Sequence, residues 1–475
     1  MIRALRFFFA VVCAMAVACS DPDPDPGSSA PPSEPLAAEA PAGEARPNVI
    51  LVSLDTLRAD RTSPYGYERD TSPGLASFAE EGARFETAYA HTATTGPSHA
   101  TMLTSRLPIG HGVDRNGVRL PKRVPVLTEV LGGEGYETAA FVSTWVLDEK
   151  WGFNRGFETY DSTTRIPVGD REANACAKSK VERCADQTID RVLTWLDDER
   201  DPERPFFLFV HLFDVHTPYD PPEAFLRRYL PEGAKKARGL ARFSQMTDKY
   251  DAEVAYTDHE LSRLFEALDR RGLAENSLVI VTADHGEALG SHHVVTHGVV
   301  LYEPVLRVPF LARFPGRIAP GLRVEEPVGL VDLMPTVLEL LGVDPGELRM
   351  EGRSLAGVLR GDEDLDPEHP IFLQRRRYET EKVAGRRVKG AAFGLRQGRW
   401  KFVETEATGQ RELYDLVADP GETNNLVEAE PEQAAAMAER IASWKTSSAR
   451  GAGSPQPRKI RESDRRKLRA LGYVD

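Results

Sequence analysis

Cysteine is scarce in this chain, which has four in 475 residues. Two of them, Cys13 and Cys19, lie near the amino terminus, so the folded part is neither a disulfide scaffold nor a four-cysteine zinc cage. Positive charge is also in deficit, with 60 Lys and Arg against 73 Asp and Glu and a net charge of -13. This acidic balance argues against a nucleic-acid-binding protein, which normally carries a basic patch.

The amino terminus lacks an apolar run long enough to span a bilayer. Its run, Phe7–Val17, has 11 residues and follows Arg3 and Arg6. This pattern predicts a signal peptide over residues 1–18. The run leads into Ala-Val-Ala-Cys19, which fits either an ordinary signal-peptidase site or a lipobox whose cysteine becomes lipidated.

Residues 19–46 are rich in Pro, Asp, Ala, Ser and Glu, which predicts a disordered tether. A tether directly after Cys19 suits an exported protein of the periplasm or cell envelope, held at the membrane by lipid on that cysteine. Export also makes a disulfide between Cys176 and Cys184 possible, and the sequence leaves both a local bridge and two free thiols open.

Hydrophobic residues make up 41% of the chain, enough for a large core. Continuous apolar runs such as Val49–Leu54 and 278–282 predict strands buried on both faces, and helical spacing predicts a helix over 250–271. Strands that alternate with helices indicate an α/β fold with a covered sheet. After about residue 361, short alternating runs and a polar helix indicate a small antiparallel sheet. We therefore expect a main domain, a carboxy-terminal subdomain and a basic tail over residues 47–360, 361–450 and 451–475.

Polar side chains follow two of the predicted strands. Asp55 comes directly after the first strand, and Asp284 and His285 follow the strand over 278–282. Ligands of α/β sheets bind beyond the carboxyl ends of strands, and two aspartates with a histidine can hold a divalent cation. Thr95 precedes a helix predicted to open at Pro97, where free N–H groups stabilise an anion.

Six segments carry a more specific pattern: Asp-Thr-Leu-Arg-Ala-Asp at 55–60, Pro-Ser-His-Ala-Thr-Met-Leu-Thr-Ser at 97–105, His-Thr-Pro at 216–218, Thr-Ala-Asp-His-Gly-Glu at 282–287, Val-Asp-Leu-Met-Pro-Thr at 331–336 and Glu-Leu-Tyr-Asp-Leu at 412–416. Together they resemble the sulfatase family of the alkaline phosphatase superfamily, from Asn48 to about Leu426. The resemblance implies a large mixed, mostly parallel sheet between helices, with a smaller carboxy-terminal antiparallel sheet and helix. It also implies an ester hydrolase with one divalent cation. Calcium is expected from the family, and the His285 ligand makes manganese or zinc possible.

The nucleophile segment departs from the family pattern. Sulfatases carry Cys-x-Pro-x-Arg, whose cysteine is oxidised to formylglycine. Here Thr95 replaces the cysteine and His99 replaces the arginine, and a threonine cannot become formylglycine. His297 occupies the place of the family's active-site lysine. Asp55 is preceded by Leu54, where many sulfatases have a second aspartate.

The resemblance, together with the placement at strand ends, implies a role for each candidate site residue. The expected metal ligands are Asp55, Thr95, Asp284 and His285. Thr95 is the expected nucleophile, and His216 and His297 would contact the substrate or protonate the leaving group. His99 would orient Thr95, act as its base or serve structure alone.

Three functions remain open at this point. A threonyl sulfate would need direct attack by water, whereas a phosphoryl-threonine is resolved more readily. We predict a sulfatase-family hydrolase of a sulfuric or phosphoric ester, with a small-molecule, glycan or lipid substrate outside the cytoplasm. The alternatives are a phosphodiesterase or phosphoryl-group transferase of the same superfamily, and a catalytically silent lipoprotein that binds anions. The presence of Asp55, Asp284 and His285 counts against the silent protein.

Overall fold

A mixed eight-stranded sheet runs through the protein, which we describe from a computed structural model over residues 46–164, 181–230, 240–383, 386–449 and 461–470. The strands of this described part are β1 Asn48–Leu54, β2 Ala83–Phe85, β3 Ala88–Tyr89, β4 Glu137–Val142, β5 Thr159–Asp161, β6 Phe206–Leu212, β7 Ser277–Thr282, β8 Arg307–Val308, β9 Phe310–Arg313, β10 Leu322–Val324, β11 Val328–Gly329, β12 Ile371–Val383, β13 Arg386–Gln397, β14 Trp400–Thr405 and β15 Gln410–Asp415.

The large sheet has the strand order β10-β2-β9-β7-β1-β6-β4-β5. Its central strands are parallel, and β9 pairs antiparallel with β7 and with β2. Every residue of β1, β6 and β7 is buried, so helices and loops cover both faces of the sheet there. This burial explains why these strands read as continuous apolar runs.

The α-helices of the described residues are α1 Pro73–Glu80, α2 Thr95–Thr104, α3 Pro108–His111, α4 Leu127–Gly133, α5 Ala185–Thr194, α6 Glu223–Tyr229, α7 Leu240–Arg270, α8 Glu303–Leu306, α9 Leu333–Leu340, α10 Ala356–Arg360, α11 Pro431–Ala449 and α12 Glu462–Ala470. None of the described helices combines the length and the apolarity that a membrane crossing requires. The helix predicted over 250–271 begins ten residues earlier than expected, at Leu240, and ends at Arg270.

A second sheet is an antiparallel meander of β12, β13, β14 and β15. Helix α11 packs on it through a cluster that includes Leu395, Phe402, Leu413, Met437 and Trp444. The predicted fold class is therefore confirmed: a large, mostly parallel sheet between helices, followed by a small antiparallel sheet with a helix. The boundary that we placed at residue 360 stays a prediction.

Candidate active site

The carboxyl ends of β1, β6 and β7 meet at one edge of the large sheet. Ser53 of β1 is in register with His211 of β6 and with Thr282 of β7. The residues that follow β1 and β7, Asp55 and Asp284, therefore lie side by side although 229 positions separate them in the chain. Parallel topology thus brings the predicted polar residues together.

Asp55, Asp284 and His285 form a possible metal-binding group. Each offers one ligand atom, and these atoms all lie within 4.8 Å of one another. All three side chains are buried, and Asp55 Oδ1, Asp284 Oδ2 and His285 Nε2 have no hydrogen-bond partner among the described residues. Buried polar atoms without partners are costly, and a divalent cation would satisfy all three at once. The donor set therefore fits the expected cation.

Electrostatics at this group favour a bound cation. Burial raises the pKa of Asp55 to about 7, against the opposing effects of His285 and of a hydrogen bond from Thr95. Burial and the neighbouring charge of Asp55 also raise the pKa of Asp284. Two buried carboxyl groups that resist ionisation together would ionise readily beside a metal ion.

Helix α2 begins at Thr95 itself, two residues before the predicted start at Pro97. Proline is tolerated in the first turn of a helix because its missing N–H has no partner there, so Pro97 does not mark the boundary. The Thr95 side chain lies near the Asp55 carboxylate and lowers its pKa. The Ser98 hydroxyl donates to the carbonyl oxygen of Asp284 at 2.6 Å. The first turn of α2 therefore adjoins Asp55 and is fixed to the Asp284 segment by a hydrogen bond.

His99 lies beneath Thr95 and is completely buried. Its Nδ1 donates to the carbonyl oxygen of Thr95 at 2.8 Å, and its Nε2 accepts from the Ser53 hydroxyl at 2.9 Å. Burial lowers the pKa of His99 to about 3, so the ring is neutral. Both ring nitrogens are engaged, and this geometry suits an orienting role rather than proton abstraction from the Thr95 hydroxyl.

The two other predicted histidines adjoin the metal group. The ring centroid of His297 lies 4.5 Å from that of His285 and 5.0 Å from that of His216. His216 stacks on Phe213 at 4.3 Å. Burial lowers the pKa of both His216 and His297, each with a further contribution from a neighbouring histidine. The structure thus brings every predicted site residue to one place, while their catalytic roles stay predictions.

His211 is a site residue to which the sequence assigned no role. Its Nε2 lies 3.3 Å from Asp55 Oδ2, and the side chain is fully buried. The available signal was a histidine near the carboxyl end of an otherwise apolar strand. The alternation of a regular strand does not say which face carries the site, so the contact with Asp55 was not predictable.

Asn116 is a second residue that the sequence reasoning missed. Its Oδ1 accepts the backbone N–H of Gly96 at 2.7 Å, and its buried Nδ2 has no hydrogen-bond partner in the described part of the chain. A side chain on Gly96 would place its Cβ 3.0 Å from Asn116 Oδ1, so glycine leaves room for this contact. Asn116 therefore supplies an unused N–H donor group beside the start of α2.

A family model decides the family. The sulfatase model matches residues 47–343, which is more than half of the chain. The chain belongs to the sulfatase family. A second model, the carboxy-terminal part of N-sulphoglucosamine sulphohydrolase, matches residues 291–446. The predicted enzyme class, a sulfatase-like ester hydrolase, is confirmed by this membership.

Several known proteins are similar to this chain over most of its length. An ulvan-active sulfatase of Formosa agariphila is 25% identical over 404 residues, which are 80% of this chain and 77% of that protein. Human arylsulfatase A is 28% identical, over 84% of this chain and 87% of its own. The phosphonate monoester hydrolase of Agrobacterium radiobacter has the same fold, with a TM-score of 0.69, 22% identity and coverage of 85% and 96%. A protein solved with D-glucosamine-2-N,6-O-disulfate as its substrate gives a TM-score of 0.71, 21% identity and coverage of 87% and 100%.

A separate cavity of about 830 Å³ lies among the segments around Arg58, His292 and Glu422. Its lining includes Arg58, Tyr89, His292, Tyr302 and Glu422, and none of the four predicted metal ligands. The charged groups around it are largely paired within the protein, as in the ion pair of Arg58 with Asp60. The cavity is therefore distinct from the predicted metal group.

Some predictions fall on other parts of the chain. The signal peptide over 1–18, Cys19 and nearly all of the tether lie outside the described residues, as does Cys176. Cys184 is disulfide-bonded. Of the basic tail, helix α12 is described, and its Leu468 is buried in the main core.

Proposed function

We propose that this sulfatase-family member is a metal-dependent hydrolase of sulfuric esters that uses Thr95 as its nucleophile in place of formylglycine. One observation carries the proposal: Thr95, the first residue of α2, lies close enough to Asp55 of the metal group for its side chain to lower the pKa of that carboxyl. An attacking oxygen needs activation and a nearby positive field, and this position supplies both.

Asp55, Asp284 and His285 would hold the cation. When bound, the cation lowers the pKa of a hydroxyl beside it and neutralises charge on the transferred group. A histidine among the ligands favours manganese or zinc, whereas the family resemblance favours calcium. The metal's identity is therefore part of the test.

The residues of the chain define the remaining steps. Asp55 accepts the Thr95 hydroxyl proton as the Thr95 oxygen attacks sulfur. The Asn116 amide and the N–H groups at the start of α2 donate to the sulfuryl oxygens. His297 gives a proton to the departing oxygen of the substrate, and His216 contacts the substrate beside it. Water then attacks the threonyl ester with His297 as its base, sulfate is released, and Asp55 returns its proton to the Thr95 oxygen.

A phosphoric ester is the second candidate substrate, and Thr95 is the observation that favours it. Formylglycine hydrate has two hydroxyl groups and can expel sulfate with the second, whereas threonine has one. A phosphorylated threonine is resolved by water or by an acceptor alcohol with less difficulty. Transfer to an alcohol would make the enzyme a phosphoryl-group transferase.

The leaving group that we propose is a glycan or a small-molecule alcohol. Relatives named as an ulvan-active sulfatase, a hexuronate-2-O-sulfatase and a choline-sulfatase support both classes. Each is 25% or 26% identical to this chain, which does not distinguish between them.

The proposed function is tested by assaying several substrates with several metals, and by comparing the parent protein with one variant. The purified protein is freed of metal with a chelator, then assayed with calcium, manganese or zinc on 4-nitrophenyl sulfate, phosphate and phosphodiester substrates. Cleavage of the sulfate in preference to the phosphates supports the proposal, and the reverse preference supports the second candidate. Thr95→Ala should fold, bind metal and lose most turnover. A Thr95→Ala protein that turns over at the parent rate would overturn the assignment of the nucleophile.

We also propose that the enzyme is exported and lipid-anchored at Cys19. Support comes from the apolar run before Cys19 and from the tether that follows it. Mass spectrometry of the mature amino terminus decides the question. An unmodified Cys19 on a mature chain would leave secretion without an anchor.

A further inference from the structure

Strand β12 of the second sheet contacts two loops of the main body at the candidate active site. The backbone N–H of Gln374 donates to the carbonyl oxygen of His91 at 2.8 Å, which fixes β12 to the segment that leads into α2. Farther along β12, the side chain of Tyr378 is buried. Its hydroxyl donates to the backbone carbonyl oxygen of Gly298 at 3.0 Å. The mechanism above gives these contacts no role.

The loop at Gly298 is held from two sides. Gly298 has a φ of +79°, in the left-handed region that favours glycine. A Cβ on Gly298 would lie 3.4 Å from the carbonyl oxygen of Ala93 and 3.7 Å from Oγ1 of Thr94. The loop is therefore packed between Tyr378 on one side and the two residues that precede α2 on the other.

A second side chain of β12 holds the next residue of this loop. Arg375 donates from Nη1 to the carbonyl oxygen of Val299 at 3.0 Å, and from Nη2 to that of Gly390 on β13 at 3.0 Å. Because the same guanidinium group joins β12 to β13, its removal would also disturb the small sheet. The carbonyl partner of the Tyr378 hydroxyl lies in the loop, so removal of that hydroxyl leaves the pairing of β12 with β13 in place.

We propose that Tyr378 is a positioning residue that sets the place of the His297 ring relative to Thr95. The inference rests on the proposed function, in which Thr95 attacks and His297 adjoins the departing oxygen. The Tyr378 hydroxyl fixes the backbone directly after His297, and the packing of Gly298 against the segment before α2 fixes its distance from the nucleophile. Reacting groups need such fixing, because a displacement of about 1 Å can cost about 100-fold in rate.

The kinetic test removes one hydroxyl and keeps the ring that carries it. We expect Tyr378→Phe to lower kcat about 5- to 30-fold on the ester that the parent protein cleaves best, with KM within about 2-fold, because a misplaced His297 affects the transition state more than substrate binding. In a His297→Ala background, Tyr378→Phe should cause no further loss. An unchanged kcat, a loss confined to KM, or a loss that persists in that background would overturn the proposal.

A matched control and a measurement without turnover complete the test. Tyr65→Phe removes a hydroxyl that donates to the carbonyl oxygen of Phe85 at 3.1 Å and accepts the N–H of Phe310 at 2.8 Å, so it should lower Tm and keep kcat within about 2-fold. The NMR signal of the His297 ring, identified by its absence in His297→Ala, should shift in Tyr378→Phe and stay in place in Tyr65→Phe. This signal tests the positioning role even if the parent protein cleaves no ester and the proposed function fails. An unmoved His297 signal in Tyr378→Phe would refute the role of Tyr378.

Discussion

His99 donates a hydrogen bond from Nδ1 to the backbone carbonyl oxygen of Thr95, four residues earlier in the same helix. The contact uses the ring in place of the arginine that the family pattern carries at this position. On its other side the ring accepts from Ser53 at the end of β1. His99 thus connects the proposed nucleophile to the strand that carries Asp55.

We expect His99→Ala to destabilise the protein and to lower turnover together. The change leaves the buried Ser53 hydroxyl without a partner, which costs about 1–3 kcal/mol, and it also opens a cavity. Because the ring is neutral, no rate change near neutral pH should follow its titration. Thermal unfolding and kcat measured between pH 5 and 8 check this. A pH–rate profile whose acidic limb disappears in His99→Ala would identify His99 as a titrating catalytic group instead.

The residues that follow the strands at the site were predictable, because buried parallel strands are recognisable in the sequence as continuous apolar runs. Asp55, Asp284 and His285 follow such runs directly, and topology alone brings them together. Asn116 and His211 were not predictable in the same way. Their roles depend on contacts with Gly96 and Asp55 that local periodicity does not encode.

The start of α2 shows a different limit. Gly96 and Pro97 are residue types that usually mark the boundary of a helix, yet both lie inside the first turn of α2. The predicted start was therefore wrong by two residues. Glu287 and His297 lie in loop segments without periodicity, so only their side-chain geometry shows that they form a pair.

Removal of metal should destabilise this enzyme. A cation that binds only the folded state at 100 times its Kd adds about 2.7 kcal/mol to the free energy of unfolding. Titration of manganese, zinc or calcium into chelated protein should therefore raise Tm, and Asp284→Asn should abolish most of that rise. Asp258→Asn, which lies outside the metal group, should keep it. An unchanged Tm with every ion, measured by differential scanning fluorimetry, would contradict the metal site.

Lys401 joins the second sheet to the main body. Its completely buried ammonium group lies 2.9 Å from Glu303 Oε1 and 2.7 Å from Glu422 Oε1. Lys401→Met would leave the buried Glu422 and the partly buried Glu303 without their cation, and we expect a loss of about 3–5 kcal/mol. Arg227→Met, which breaks an exposed pair with Glu223, should cost less than about 1 kcal/mol. Denaturant unfolding of both variants tests the contrast, and equal losses would refute it.

Asp258 should give the protein a local pH dependence of stability. Its oxygens accept the N–H groups of Gly74 and Leu75, and burial raises its pKa to about 6. A raised carboxyl pKa contributes stability that is fully present below the unfolded value near 4 and is lost as pH rises through 6. The Tm of the parent protein minus that of Asp258→Asn should therefore decrease between pH 4 and pH 7. A difference that grows over this range would contradict the assignment.

Asn116→Asp tests whether the side-chain amide of Asn116 binds the sulfuryl oxygens of the substrate. The change keeps the size of the side chain and the acceptor for the Gly96 N–H, which lies 2.7 Å from Oδ1. It replaces the N–H donor group, Nδ2, with a second carboxylate oxygen beside the proposed nucleophile. A like charge at this point repels the sulfuryl oxygens and disfavours the Thr95 alkoxide, so kcat/KM should fall at least about 100-fold. Asn116→Ala removes the donor without adding a charge, so it should lower kcat/KM by a smaller factor. Metal content and Tm should stay close to those of the parent in both variants. If Asn116→Asp and Asn116→Ala lose the same activity, the amide acts through the helix start rather than on the substrate.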